Sequence, residues 1–145
     1  MNLNTLINHN KAKFDEYYRI LLGKKLNKSV LSKAMKYGSM NGGKRIRPLI
    51  VSQSSKMVNL SKNNMMIIAA SIESIHSYSL THDDLPSMDD DNFRRGKLST
   101  HIKFGESTAV LAGNSLQTMA CEILTSEYLK TNDKIKINLI KKLSE

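Results

Sequence analysis

From Leu3 to Leu22 the apolar residues Leu3, Leu6, Ile7, Phe14, Tyr17, Tyr18 and Leu21 recur mostly at intervals of three and four, the spacing of an amphipathic helix. Gly23 is the expected stop. A second helix is expected to start near Lys28 or Ser29 and to carry Val30, Leu31, Ala34, Met35 and Tyr37 as far as Gly38. A third runs from Pro48 to Val58, with Pro48 where a helix can begin, and the polar break NLSKNN separates it from a longer pattern that opens near Met65. There Ile68, Ile72 and Ile75 form one apolar stripe, and His76, Ser79, Leu80 and Asp83 follow at helical steps. Pro86 halts this helix, because it drives Leu85 toward an extended conformation. FGESTAVLAGNSLQTMACEILTSEYL reads as one further helix, in which Ala109, Ala112, Gly113, Leu116 and Ala120 permit close packing, and DKIKINLIKKLSE reads as the last.

Composition adds a boundary to this picture. A chain of 145 residues with 40% hydrophobic content can build one compact domain with a real core. No apolar run approaches the roughly 20 residues of a membrane helix, and MNLNTLINHNKAKF lacks the apolar block of a signal peptide, so a cytoplasmic protein is expected. The single cysteine, Cys121, cannot build an intrachain disulfide or a thiolate metal site and is expected to be a small core residue. A net charge of +9 favours anionic partners, either diphosphates or nucleic acid. No nucleic-acid motif accompanies the lysines, so nucleic acid is not the expected partner.

The chemistry gathers between His76 and Gly96. Carboxylates stand at 83, 84, 89, 90 and 91, followed at once by Arg94 and Arg95. Mutual repulsion opposes such a density, and two readings remain: a solvated charged loop, or a site filled by a hard cation such as Mg²⁺ that bridges carboxylates to phosphates. Helical spacing favours the second. His76 and Asp83 share one face two turns apart, and Asp84, displaced by about 100°, still crowns the same helix end. A helix C-terminus is a poor place for anions unless cations compensate. Upstream, SMNGGKRIRPLIV places Gly42 and Gly43 before Lys44, Arg45 and Arg47 at the start of a helix, where backbone amides and basic side chains can hold an anion. By itself that stretch is equally a turn with solvated basic residues; the spacing of a GxxxxGK[ST] phosphate loop is missing. His82 and His101 are read as structural.

Together YGSMNGGKRIRP, ESIHSYSLTHDDLPSMDDDNFRRG and HIKFGESTAVLAGNSLQT resemble the trans-isoprenyl diphosphate synthases, in particular the bacterial farnesyl-forming branch, from about Tyr37 to Leu124. The resemblance implies an all-α fold in which a helical bundle surrounds a deep pocket, usually as a homodimer. It implies a Mg²⁺-dependent condensation of isopentenyl diphosphate with an allylic diphosphate, dimethylallyl or geranyl, by ionisation, condensation and elimination. Carried over by motif, Asp83, Asp84 and Asp89 are the metal ligands, with Asp90 and Asp91 as supporting charges. Lys44, Arg47, His76 and Arg95 are the isopentenyl diphosphate contacts, and Arg94 the contact to the allylic diphosphate. Product length falls to Tyr78 and Ser79, below the first aspartates. The aromatic Tyr78 resembles the farnesyl pattern, with geranylgeranyl as the alternative, and helical geometry sets Ser79 almost directly beneath Asp83.

Members of that family also carry a second aspartate-rich motif and further basic residues downstream, and neither occurs here. Residues 1–145 are therefore expected to form the N-terminal part of a single helical synthase domain, inactive alone. Two alternatives stand beside a piece of an active synthase: a short product that binds diphosphates or a partner subunit without turnover, and a nucleic-acid binder.

Overall fold

The structure, a computed structural model, describes residues 2–145. They form helices α1 (Leu3–Lys25), α2 (Val30–Ser39), α3 (Ile46–Met57) and α4 (Lys62–Asp83), a hairpin of β1 (Phe93–Arg94) and β2 (Lys97–Leu98), and helices α5 (Thr100–Phe104), α6 (Glu106–Thr125) and α7 (Asp133–Ser144). The all-α expectation holds, apart from two strands of two residues each.

Short polar side chains decide where most helices start. Asn2, Ser29, Ser61 and Asn132 each adopt an extended backbone and accept an amide hydrogen of the first turn of α1, α2, α4 and α7. Ser61 sets the start of α4 at Lys62, ahead of the expected Met65. Gly23 does not stop α1. The helix continues to Lys25, where the Leu26 amide donates to the Leu22 carbonyl and Leu22 is fully buried. Gly38 likewise stays inside α2, and the absence of a Cβ there leaves room for the hydroxyls of Thr81 and Thr100. α3 begins at Ile46, so Pro48 occupies the third residue of its first turn, where a missing amide hydrogen costs nothing. The helix expected from Phe104 onward is divided by Gly105, whose φ of 87° breaks α5 from α6.

α4 is the central element: α1, α2, α3 and α6 all pack on it. Its deeply buried face is not the expected isoleucine stripe. Ile68, Ile72 and Ile75 are half-exposed, whereas Met66, Ile67, Ala70, Ser71, Ser74, Ser77 and Thr81 are buried. Small side chains win that face because α6 lies close, with Ala109, Ala112, Gly113, Leu116 and Ala120 buried against it as expected. The buried hydroxyls are satisfied locally or across helices: Ser71 donates to the Ala120 carbonyl at 2.8 Å, and Ser74 to Ala70 at 2.8 Å. Phe14, Tyr18 and Leu22 of α1 close the core from the other side, and the Tyr18 hydroxyl bonds Ser74 at 2.7 Å. Cys121 is only partly buried, because α6 turns that position away from α4 while Ala120 and Leu124 face the core.

Gly113 is a point of close approach between α4 and α6. A Cβ there would overlap the His82 ring, which is pinned by a 3.0 Å hydrogen bond to the Val110 carbonyl and by edge-on packing against Tyr78. Alanine gains about 1 kcal/mol over glycine in helix propensity, but overpacking a fixed ring costs about 1–3 kcal/mol. Gly113→Ala is therefore expected to lower the urea-unfolding free energy by about 1 kcal/mol; a variant as stable as the parent would show that the ring yields freely.

Candidate functional site

α4 presents two chemically opposite regions. At its C-terminal end Asp83 is the last helical residue and Asp84 the cap. Leu85 to Asp91 then fold into a tight turn in which the Asp89 amide donates to the Asp83 carbonyl at 2.9 Å and the Asp90 amide to Leu85 at 3.1 Å. Asp83 is half-exposed, Asp89, Asp90 and Asp91 are exposed, and Asp84 is buried. The cation that compensates Asp84 is Arg94, whose Nε donates to Asp84 Oδ1 at 2.6 Å and whose Nη2 lies 2.5 Å from the same oxygen. The hydrogen bond to Asp84 pushes the Arg94 pKa up.

Arg95 goes the other way. Arg95 and Gly96 form the two-residue turn of the hairpin with φ of 55° and 76°, both positive as a type I′ turn requires. The two arginines thereby diverge. Arg94 faces Asp84, while Arg95 packs over Gly43 and donates from Nη1 to the Gly42 carbonyl at 2.6 Å. Any side chain at Gly43, itself at φ 105°, would collide with that guanidinium. Periodicity gave no sign of this hairpin; Gly96 behind two arginines is the only local cue.

Arg95 thus completes a cavity of about 590 Å³ lined by Gly43, Lys44, Arg47, Glu73, His76 and Arg45 as well. Lys44 and Arg47 are exposed and flank the uncapped start of α3, so free helix amides add to their charge. All four expected isopentenyl diphosphate contacts, Lys44, Arg47, His76 and Arg95, meet here. Burial lowers the His76 pKa, and the Arg47, Arg95 and Arg45 cations lower it further against the opposing pull of Glu73.

Beneath the cavity lies a cluster that motif reading did not assign. Arg45 takes a left-handed backbone, φ 53°, and buries its guanidinium, which donates to Asp15 at 2.8 Å, to Glu73 at 2.7 Å and to the Ser39 carbonyl at 2.9 Å. Burial alone would lower the Arg45 pKa, but the bonds to Glu73 and Asp15 outweigh it and push it up. Asp15 is correspondingly held low by Lys11 and Arg45 despite its own burial. A sequence cue exists: Glu73 is the lone acid in the otherwise uncharged run MMIIAASIESI.

On the acidic side, Tyr78, Ser79, His82 and Asp83 line a second cavity of about 330 Å³ together with Leu85 and Met88. The two expected length-setting residues therefore sit with Asp83, as their helical spacing requires. Asp83, Asp84 and Asp89 do not converge into a closed cage: among the described residues no three carboxylate, imidazole or thiol groups are grouped to hold a metal ion. This donor set suits Mg²⁺, which takes one or two carboxylates, waters and substrate phosphates rather than an all-protein shell. Asp83 and Asp89 are open to such a role, whereas Asp84 already serves Arg94.

Because folded His76 titrates below its ordinary value, its contribution to stability is complete above about pH 6.5 and is lost as the pH falls toward the folded value. Unfolding free energy is expected to decline through that window, and His76→Asn to flatten the decline. The Asp15 contribution, lowered in the fold, is lost only below about pH 4 and serves as the internal control. An unchanged upper limb in the variant would assign that titration to another group.

The polyprenyl synthetase family profile matches residues 28–145. Over 118 residues the chain is 47% identical to farnesyl diphosphate synthase of Buchnera aphidicola, covering 81% of this chain and 42% of that protein. Over 111 residues it is 47% identical to farnesyl diphosphate synthase of Escherichia coli, covering 76% and 37%. The crystal structure of an FPP/GFPP synthase from Zymomonas mobilis superposes with a TM-score of 0.90 at 36% identity, over 99% of this chain and 52% of that one. The chain thus spans about two-fifths of these curated relatives and about half of the solved one. Along the stretch that bears the cationic cavity, the aspartate turn and the paired arginines, it belongs to the polyprenyl synthetase family.

Proposed function

We propose that this chain supplies the first half of the active site of a prenyltransferase that condenses isopentenyl diphosphate with dimethylallyl or geranyl diphosphate to give farnesyl diphosphate. One observation carries the reading: α4 bears a cationic cavity at His76 and open carboxylates at Asp83, two turns further on. An anion-binding pocket and a metal-binding edge on one rigid helix suit two diphosphates held side by side.

In this reading Lys44, Arg47, His76 and Arg95 hold the isopentenyl diphosphate, and Arg94 contacts the allylic diphosphate. Asp83, Asp84 and Asp89 would hold Mg²⁺, Asp84 in exchange for its bond to Arg94. Bound Mg²⁺ supplies positive charge where the departing diphosphate becomes more negative. Arg94 would add a cationic donor at the same place. The allylic C–O bond breaks, the isopentenyl double bond attacks the resulting carbocation, and a proton leaves to form the new double bond. Tyr78 limits the cavity below Asp83 and sets a fifteen-carbon product; geranylgeranyl is the product if the ring moves aside. Assembly as a homodimer and a cytoplasmic location belong to the same reading. Among the described residues no helix is long and apolar enough to cross a membrane.

These 145 residues carry one aspartate-rich motif, and turnover by them alone is not expected. The test therefore uses the native gene product, captured from its source cells, with the two five-carbon diphosphates, Mg²⁺ and product identification by mass spectrometry. Fifteen-carbon diphosphate is the expected product, chelation should stop its formation, and Asp83→Ala should lower the rate by at least about 10²–10³-fold. Turnover that survives Asp83→Ala would sink the metal assignment.

A further inference from the structure

Among the described residues the Arg45 cluster is a buried charged group to which the proposed reaction gives no task. Glu73 is 3% exposed, and its Oε1 accepts from Arg45 while Oε2 has no partner among the described residues. The same residue lines the cationic cavity one turn before His76 on α4. Arg45, in turn, is the left-handed residue between Lys44 and the first turn of α3, so its φ and ψ decide where Lys44 and Arg47 point. A non-glycine residue in that conformation is strained by its Cβ and stays there only when its surroundings hold it. In this conformation the guanidinium donates to Glu73, Asp15 and the Ser39 carbonyl together, and these three bonds anchor the side chain of the left-handed residue.

We infer that Glu73, acting through Arg45, is the positioning residue of the cationic cavity: it locks the Gly42–Arg47 turn onto α4, so that Lys44 and Arg47 face His76. The inference rests on the proposed function, and it concerns the isopentenyl diphosphate end alone. Asp83, Asp89 and Arg94 are held by the Leu85–Asp91 turn and the hairpin, not by Arg45.

Charge and position make opposite forecasts here, which renders the idea testable. Removing the Glu73 charge leaves the cavity more positive, so a purely electrostatic role forecasts tighter anion binding. Loss of the lock forecasts weaker binding. Glu73→Gln in the native gene product keeps the shape and one hydrogen-bond acceptor for Arg45. Titration calorimetry with inorganic pyrophosphate is expected to show about tenfold weaker binding, the scale of one charge-assisted hydrogen bond. In turnover, the KM for isopentenyl diphosphate should rise by a similar factor while the KM for the allylic substrate stays within about twofold, a split that general loosening of the fold would not produce. Arg45→Lys, which keeps the charge and loses the planar fork, should give the same split and carries the decision if Glu73→Gln does not fold.

Pyrophosphate binding that is unchanged or tighter in the variant, or equal rises in both KM values, would overturn the positioning role. A parent protein that binds no pyrophosphate would instead overturn the functional reading beneath it.

Discussion

The buried guanidinium of Arg45 is the constraint on which the upper half of the bundle depends. It draws together a carboxylate from α1, a carboxylate from α4 and a carbonyl from the end of α2, while its own backbone starts α3. A charge in that position is tolerable only with its partners in place; breaking a buried pair by removing one member costs about 3–5 kcal/mol, because the other charge is left desolvated. By contrast Lys142–Glu145, exposed on both sides, stabilises by no more than about 1 kcal/mol. Only the first kind of contact fixes a backbone.

The same economy of charge explains the two consecutive arginines. Side by side on a helix or in a loop, Arg94 and Arg95 would repel each other and compete for the same acids. The hairpin separates them: Arg94 lies within the strand and Arg95 in the turn, so one neutralises the buried Asp84 and the other faces the glycine turn. Along α4, His76 and Asp83 are seven residues apart, a rise of about 10 Å. In the proposed function the two diphosphates would be held at that separation by one helix, and no domain movement is needed to keep them in register.

Much of this was legible in the sequence because it is local. Helix periodicity and the glycine-basic turn involve residues within four positions of each other, and Lys44, Arg47, His76, Asp83 and Arg94 lie in recognisable local motifs. Of the features that were not legible, three share one physical reason: they depend on which surfaces meet. Arg45 pairs with residues 30 and 28 positions away, and no spacing rule reports that. Likewise Ile68, Ile72 and Ile75 look like the core face of α4 by hydropathy, yet the deeply buried positions are Ile67 and mostly small residues such as Ala70, Ser71, Ser74 and Ser77. The engagement of Asp84 by Arg94 was hidden because a run of aspartates reads as uniform, whereas burial distinguishes Asp84 from its neighbours.

Close helix approach also ties the two ends of α4 to the rest of the bundle. His82 can lie between α4 and α6 only because residue 113 has no side chain, and in that place it bonds the Val110 carbonyl and meets the Tyr78 ring edge-on with 4.7 Å between centroids. The bond to a carbonyl fixes the proton on Nε2, since a carbonyl accepts and the ring nitrogen must donate. Tyr78 is therefore held by a neighbour that is itself held by α6, and the width of the cavity below Asp83 follows from the α4–α6 spacing as well as from the size of the residue at 78. Where two helices meet through small side chains they have few ways to shift by a fraction of an ångström, because their backbones lie close together. In the proposed function that rigidity would keep the depth of the cavity reproducible and would place part of the control of product length on α6, outside the aspartate motif.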